Sequence, residues 1–102
     1  MDIDIRARNA DLNNLLRSHI DRQFGKIARQ VSPLALLHLE LTKERNPANR
    51  SPNVAKAILH LKGSVLTAQE ESLDMVQSVD MVADKLSRQV RHYLDRRRGP
   101  RH

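Results

Sequence analysis

Apolar residues follow two rhythms along this chain. In Asp2–Arg8 they alternate, with Ile3, Ile5 and Ala7 set against Asp2, Asp4, Arg6 and Arg8, which is the period of a strand that buries one face. From Asn13 the step changes to three and four residues: Leu16, Ile20, Phe24, Ile27 and Val31 recur until Ser32 and Pro33 break the pattern. A helix is predicted there, with Asn13 as its N-cap. Alternation returns in Leu36–Thr42, where Leu37, Leu39 and Leu41 oppose His38, Glu40 and Thr42. Val54–Gln69 reads as two further strands about a tight turn at Gly63, with Ala55, Ala57, Leu59, Leu61, Leu66 and Ala68 facing inward. The small alanines there imply close contact with a helix. The last helix carries Met75, Val79, Leu86, Val90 and Tyr93 on its apolar side. Ser72 is predicted to cap it, with Asp74 in its first turn, where a carboxylate suits the positive end of the helix dipole.

The predicted order is β-α-β-β-β-α. Strands with one apolar face need a sheet that is solvated on the other side, so both helices are expected on the same face. The fold class is α+β, a four-stranded sheet with two helices on one face, like a double-stranded-RNA-binding domain. Between the second and third strands, Lys43–Asn53 (KERNPANRSPN) holds two prolines and three asparagines and no large apolar side chain. It is expected to be an exposed loop. The chain's 102 residues suit a single domain, placed at residues 1–97, with 98–102 as a basic, frayed tail.

The backs of the helices carry the candidate chemistry. At about 100° per residue, His19, Arg22, Lys26 and Arg29 fall within an arc of roughly 80°, away from the Leu16–Ile20–Phe24–Ile27 stripe. Lys85, Arg88, His92 and Arg96 occupy an arc of similar width on the last helix, and Arg91 lies beside them. Two cationic ridges on helices about 10 Å apart would bridge several phosphates of a folded RNA. A row of cations on one helix back is also what an ordinary solvated face looks like; two such rows on adjacent helices favour binding.

Charge points the same way, since 18 Lys and Arg against 12 Asp and Glu leave a net charge of +6, suited to a polyanion. The chain has no cysteine, so disulfides and thiolate metal sites are excluded. Met1–Arg8 lacks the pattern of a signal peptide, and no run of about 18 apolar residues would span a membrane. A cytoplasmic protein is expected. The aromatic residues are Phe24 and Tyr93, both on inward stripes, which argues against base stacking and for recognition of RNA by shape and phosphate. A Gly-rich phosphate loop, a GxSxG elbow and an HExxH helix are all missing from the sequence, so neither catalysis nor a cofactor is expected. His38 and His60 are predicted on the same solvated sheet face without an evident third ligand, and no metal site is predicted.

Leu15–Ile27 (LLRSHIDRQFGKI), Leu59–Leu73 (LHLKGSVLTAQEESL) and Asp74–Gln89 (DMVQSVDMVADKLSRQ) together resemble the bacterial family of ribosome hibernation promoting factors and ribosome-associated inhibitors, also called sigma-54 modulation proteins. The likeness runs over nearly the whole chain. It is carried by Leu16-Arg17, Phe24 and Lys26, then Asp74-Met75, Asp80, Asp84-Lys85-Leu86 and Arg88-Gln89 in order and spacing. Val76 departs from the usual tyrosine, the Lys43–Asn53 loop is longer than in close short members, and the basic end differs from the acidic extension of the inhibitor type. The short, hibernation-promoting form is the better match. The resemblance implies the same β-α-β-β-β-α fold and docking on the small ribosomal subunit at the decoding region, across the A and P sites. Translation would be blocked there by competition with tRNA and mRNA. It assigns Lys26, Lys85 and Arg88 to 16S rRNA; His19, Arg22, Arg29, Arg91, His92 and Arg96 rest on the helical-face argument. The implied partners are single 70S or paired 100S ribosomes and a second hibernation factor, with no membrane and no small-molecule substrate. Two other classes remain: a general RNA- or DNA-binding regulator of this fold, and a protein-interaction module using Leu36, Ile58 and Val65 on the sheet face.

Overall fold

A computed structural model describes residues 1–46, 48 and 50–97. The elements are β1 (Asp2–Arg8), α1 (Asn14–Ala28), β2 (Leu36–Lys43), β3 (Asn53–Leu61), β4 (Ser64–Ser72) and α2 (Met75–Arg97). The strands form one sheet in the order β1-β2-β3-β4. β1 joins β2 in parallel through α1, whereas β2–β3 and β3–β4 pair antiparallel. The predicted α+β architecture is the observed one. The proposed tail, residues 98–102, lies outside the described residues.

Register explains why the core closes on one face. Ile5, Leu39, Ala57 and Ala68 form one continuous row across the four strands, and Ile3, Leu37, Leu59 and Leu66 form the next. Leu37, Leu39, Leu41, Ala55, Ala57 and Leu59 are wholly buried. Phe24 and Ile20 of α1 and Val79, Val82, Leu86 and Val90 of α2 are wholly buried above them. Each such side chain contributes about 1.5–3 kcal/mol relative to remaining exposed. α2 packs on β3 and β4, the strands that carry the alanines, because a residue without a long side chain lets a helix approach the sheet. Ile3 and Ile5 are only half-buried and Ala7 is exposed, since β1 is an edge strand.

One end of each helix differs in detail from expectation. Asn13 caps α1 as predicted, its side chain accepting from the Leu16 amide at 2.8 Å. The helix ends at Ala28, with Arg29 as its C-cap, a turn before the apolar pattern stops. Val31 continues the stripe from the following turn and packs half-buried on the core. Pro33 keeps the helix from continuing through this turn, since it has no amide proton to donate to the Arg29 carbonyl and Ser32 before it avoids helical backbone angles.

At α2, Ser72 is not the cap: it closes β4 and is buried. The cap position belongs to Asp74, whose carbonyl accepts from the Ser78 amide at 3.0 Å and whose carboxylate accepts from the Val76 amide at 3.4 Å. Ser72 instead joins a buried polar node. Its hydroxyl lies 2.6 Å from that of Ser78, which donates to the Asn53 carbonyl at 2.6 Å. The Asn53 amide donates to the Leu73 carbonyl at 2.8 Å. The node ties the starts of β3 and α2 and the end of β4 together. Asn53, read from the sequence as loop, is thereby the buried first residue of β3. Within the loop, Arg45 donates to the Asn9 side chain at 2.7 Å.

Candidate nucleic-acid interface

The helices lie side by side and run in the same direction. His19 Nε2 is 2.5 Å from Asp80 Oδ1. One turn on, Gln23, Lys26 and Ile27 share a cleft with Asp80, Ala83, Asp84 and Ser87, and at the far end Gln30 and Val31 share a groove with Tyr93, Leu94 and Arg97. The two ridges are therefore roughly parallel, as their spacing requires.

Their composition is more mixed than the helical angles suggested. On α1, Arg22, Lys26 and Arg29 are all exposed. His19 is turned toward α2 and its side chain is only 18% accessible, so it acts as a strut between the helices. On α2, Lys85, Arg88, Arg91, His92 and Arg96 all reach solvent. Lys85 reaches Glu70 of β4 at 3.4 Å, and Arg88 pairs with Asp84, one turn back, at 2.9 Å. Glu70 faces the helices because it shares an inward row with Ala55, Leu41 and Ala7. Arg91 falls on the flank of α2 that turns toward α1, while Lys85 and Arg96 lean to the β4 side. Asp80 and Asp84 thus form an acidic strip between the ridges. Among the described residues, Arg22, Arg29, Arg91 and Arg96 have no carboxylate within ion-pair distance.

The remaining positive charge is nevertheless one-sided. On the outer face of the sheet, Asp2, Asp4, Glu40 and Glu71 outnumber Arg6, Arg8 and Lys56. On α1 with its C-cap, four cations face Asp21 alone, and on α2 five face three aspartates. The surface pairs of Lys85 and Arg88 are each worth only about 0–1 kcal/mol, little enough for a phosphate to displace the carboxylate. Phosphate binding is what this face can do chemically.

Stacking is not. Phe24 is wholly buried, and Tyr93 donates its hydroxyl to the Lys62 carbonyl at 2.9 Å while Arg97 lies 5.8 Å from its ring centroid. On the outer sheet face His38 and His60 meet edge to face, centroids 5.4 Å apart, and His38 Nδ1 is 3.3 Å from Asp4 Oδ2. Among the described residues no group of three or more histidines or acids is arranged to hold a metal ion, and no helix is long and apolar enough to cross a membrane. Sequence reasoning missed the roles of Asp80, Glu70 and Gln89, which donates to the Thr67 carbonyl at 2.9 Å. The one available signal was Asp80 four residues before Asp84, which sets both on the same flank.

The sequence profile of the Sigma 54 modulation protein / S30EA ribosomal protein family matches residues 3–98. The chain belongs to this family. Its S30EA relatives include the ribosome hibernation promotion factor of Staphylococcus aureus, 28% identical over 95 residues, covering 91% of this chain and 48% of that one. The chain therefore spans about half the length of that relative. It matches nearly all of two others named ribosome hibernation promoting factor. That of Azotobacter vinelandii is 26% identical over 105 residues, 99% of this chain and 94% of that one. That of Salmonella typhimurium is 25% identical over 96 residues, 94% and 96%. Among solved structures, the N-terminal domain of Thermus thermophilus Protein Y superposes with a TM-score of 0.76 at 19% identity, over 91% of this chain and 99% of that one. A ribosomal subunit interface protein from Coxiella burnetii gives 0.74 at 24%, over 93% and 99%. These two likenesses establish that the fold is shared.

Proposed function

We propose that this chain is a cytoplasmic ribosome hibernation factor. Its helix face docks on the 16S rRNA of the small subunit near the decoding centre, and translation stops because tRNA and mRNA cannot occupy the A and P sites while it is bound. The observation that carries this reading is the concentration of excess positive charge on α1 and α2, opposite a sheet face where acidic residues slightly outnumber basic ones, in a member of the S30EA family. Arg22, Lys26 and Arg29 on one helix and Lys85, Arg88, Arg91, His92 and Arg96 on the other supply the phosphate contacts. His19 holds the two rows at a fixed separation. No bond is made or broken: inhibition is occupancy, set by affinity and by the concentrations of the competing RNAs.

The test is sedimentation with purified small subunits, followed by competition. The protein co-sediments, and saturating initiator tRNA with mRNA displaces it. Unchanged binding at saturation places the protein elsewhere on the ribosome. Equal affinity for an unrelated RNA duplex makes it a general RNA-binding protein instead.

A further inference from the structure

At the end of the molecule where α2 finishes, an open groove of about 560 Å³ runs between the α1–β2 connection, the β3–β4 turn and the last turn of α2. Val31, Leu34, Ala35, Leu61 and Leu94 make its apolar floor and wall. Leu34 is 93% exposed. The apolar surface continues past His60 onto the outer sheet face, where Leu36 and Val65 flank that histidine on neighbouring strands and are themselves exposed. Exposed apolar surface gathered in one place marks an interaction site more than scattered leucines do. The rim carries Lys62 and Arg97, and the lining holds no carboxylate.

We propose that this groove docks a protein segment in which one or two large apolar side chains are flanked by Asp or Glu. The volume suits such side chains, and the rim charge matches the acidic flanks. RNA fits less well, because Tyr93 is held by its hydroxyl bond to Lys62 and faced by Arg97, leaving no open ring for a base, and the floor offers phosphate nothing. The sequence of residues 98–102, Arg-Gly-Pro-Arg-His, has the rim's charge sign and no large apolar group, which is not the chemistry of the proposed occupant. The groove uses none of the cations assigned to RNA. Docking there is thus compatible with the helix face being occupied.

The probe is a fluorescein-labelled peptide with a central Leu-Phe pair flanked on both sides by Asp and Glu, titrated with the full chain and read by anisotropy. Saturable binding is expected, weakened about tenfold or more by Leu34→Glu, which puts a carboxylate on the apolar wall. Lys62→Glu, with reversed rim charge, weakens it as well. Both variants keep the wild-type melting curve to within a few degrees and co-sediment with small subunits as the wild type does, which separates the groove from the RNA face. A peptide with Ser-Ser in place of Leu-Phe does not bind. A flat titration to about 1 mM peptide overturns the proposal, as does equal binding by the Leu34→Glu variant. Stronger competition by a single-stranded RNA than by unlabelled peptide assigns the groove to nucleic acid and overturns it too. Self-association of the protein alone in sedimentation, abolished by Leu34→Glu, together with no peptide binding, gives the groove to a second copy and likewise overturns it.

Discussion

Reversing Lys85 and Arg88 together separates the ridge from the fold, and the structure sets both sides of the expected result. On the stability side, Lys85→Glu with Arg88→Glu removes the ion pairs with Glu70 and Asp84 and leaves a carboxylate facing each. All four groups are partly or largely exposed, so each broken pair costs about 0–1 kcal/mol and each new like-charge approach a few tenths more. The sum is about 1 kcal/mol, or a fall in Tm of about 4–8 °C for a chain this size. On the binding side, each neutralised phosphate releases about 0.9 of a condensed counterion, which at 0.15 M salt is worth about fivefold in affinity. Removing two such cations weakens binding about 25-fold, and the two repulsions that replace them carry the effect toward about 100-fold or more. Seven ridge lysines and arginines on phosphates would give a slope of log K against log salt of about −5 to −6, and the double variant loses about 2 from its magnitude. The assay is binding to purified small subunits across a salt series, with circular dichroism melts of the same samples. A variant that stays folded, binds within about threefold of wild type and keeps the full salt slope refutes the assignment, and the row is then a solvated face.

Asp84→Asn frees Arg88 and removes one charge from the strip between the ridges, so affinity for the small subunit rises about threefold at low salt and the gain shrinks as salt screens it; unchanged affinity removes Asp84 from the interface. Asn53→Ala strips the buried node and leaves the Leu73 carbonyl without its donor, lowering stability by about 1–3 kcal/mol in a denaturant melt, with faster amide exchange at the start of α2. Gly63→Ala meets no neighbouring atom within 4 Å, but it places a side chain at φ +76°, so thermal melts record a loss of about 1–2 kcal/mol from backbone strain alone, with ribosome binding preserved.

The parts of the fold legible in the sequence are those fixed by local periodicity. Alternation marked β1 and β2 to within a residue, Asn13 marked the start of α1, and Gly63 marked the hairpin turn. Ser72 was misplaced because a serine ahead of an apolar run resembles a cap, and only the neighbouring positions of Asn53 on β3 and Ser78 on α2 show it as part of a buried node. The candidate interface was legible to the same depth. A helical angle places Arg22 or Arg88 on a solvent face, but it does not say which flank meets the neighbouring helix. His19 and Asp80 are 61 residues apart, and their pairing depends on the relative axial position of two helices, which is set by core packing and has no local signature. Glu70 was hidden in the same way: a carboxylate on an inward row reads as a break in alternation until Lys85 is seen above it.

Placing α2 last in the order of elements has a consequence for how the chain is made. The inward rows of β3 and β4 meet through a two-residue turn, but α2 is the layer that covers them, and it follows all four strands in the chain. During synthesis at about 5–20 residues per second, there is an interval of seconds in which a translated sheet carries Leu37, Leu39, Leu59 and the alanine rows without their second helix. The α2 cations of the helix face do not yet exist during that interval. The hydrophobic layer and the anion-binding face are therefore completed in one event, the docking of a single helix. A nascent chain without α2 therefore has neither its full core nor the second row of its cationic face.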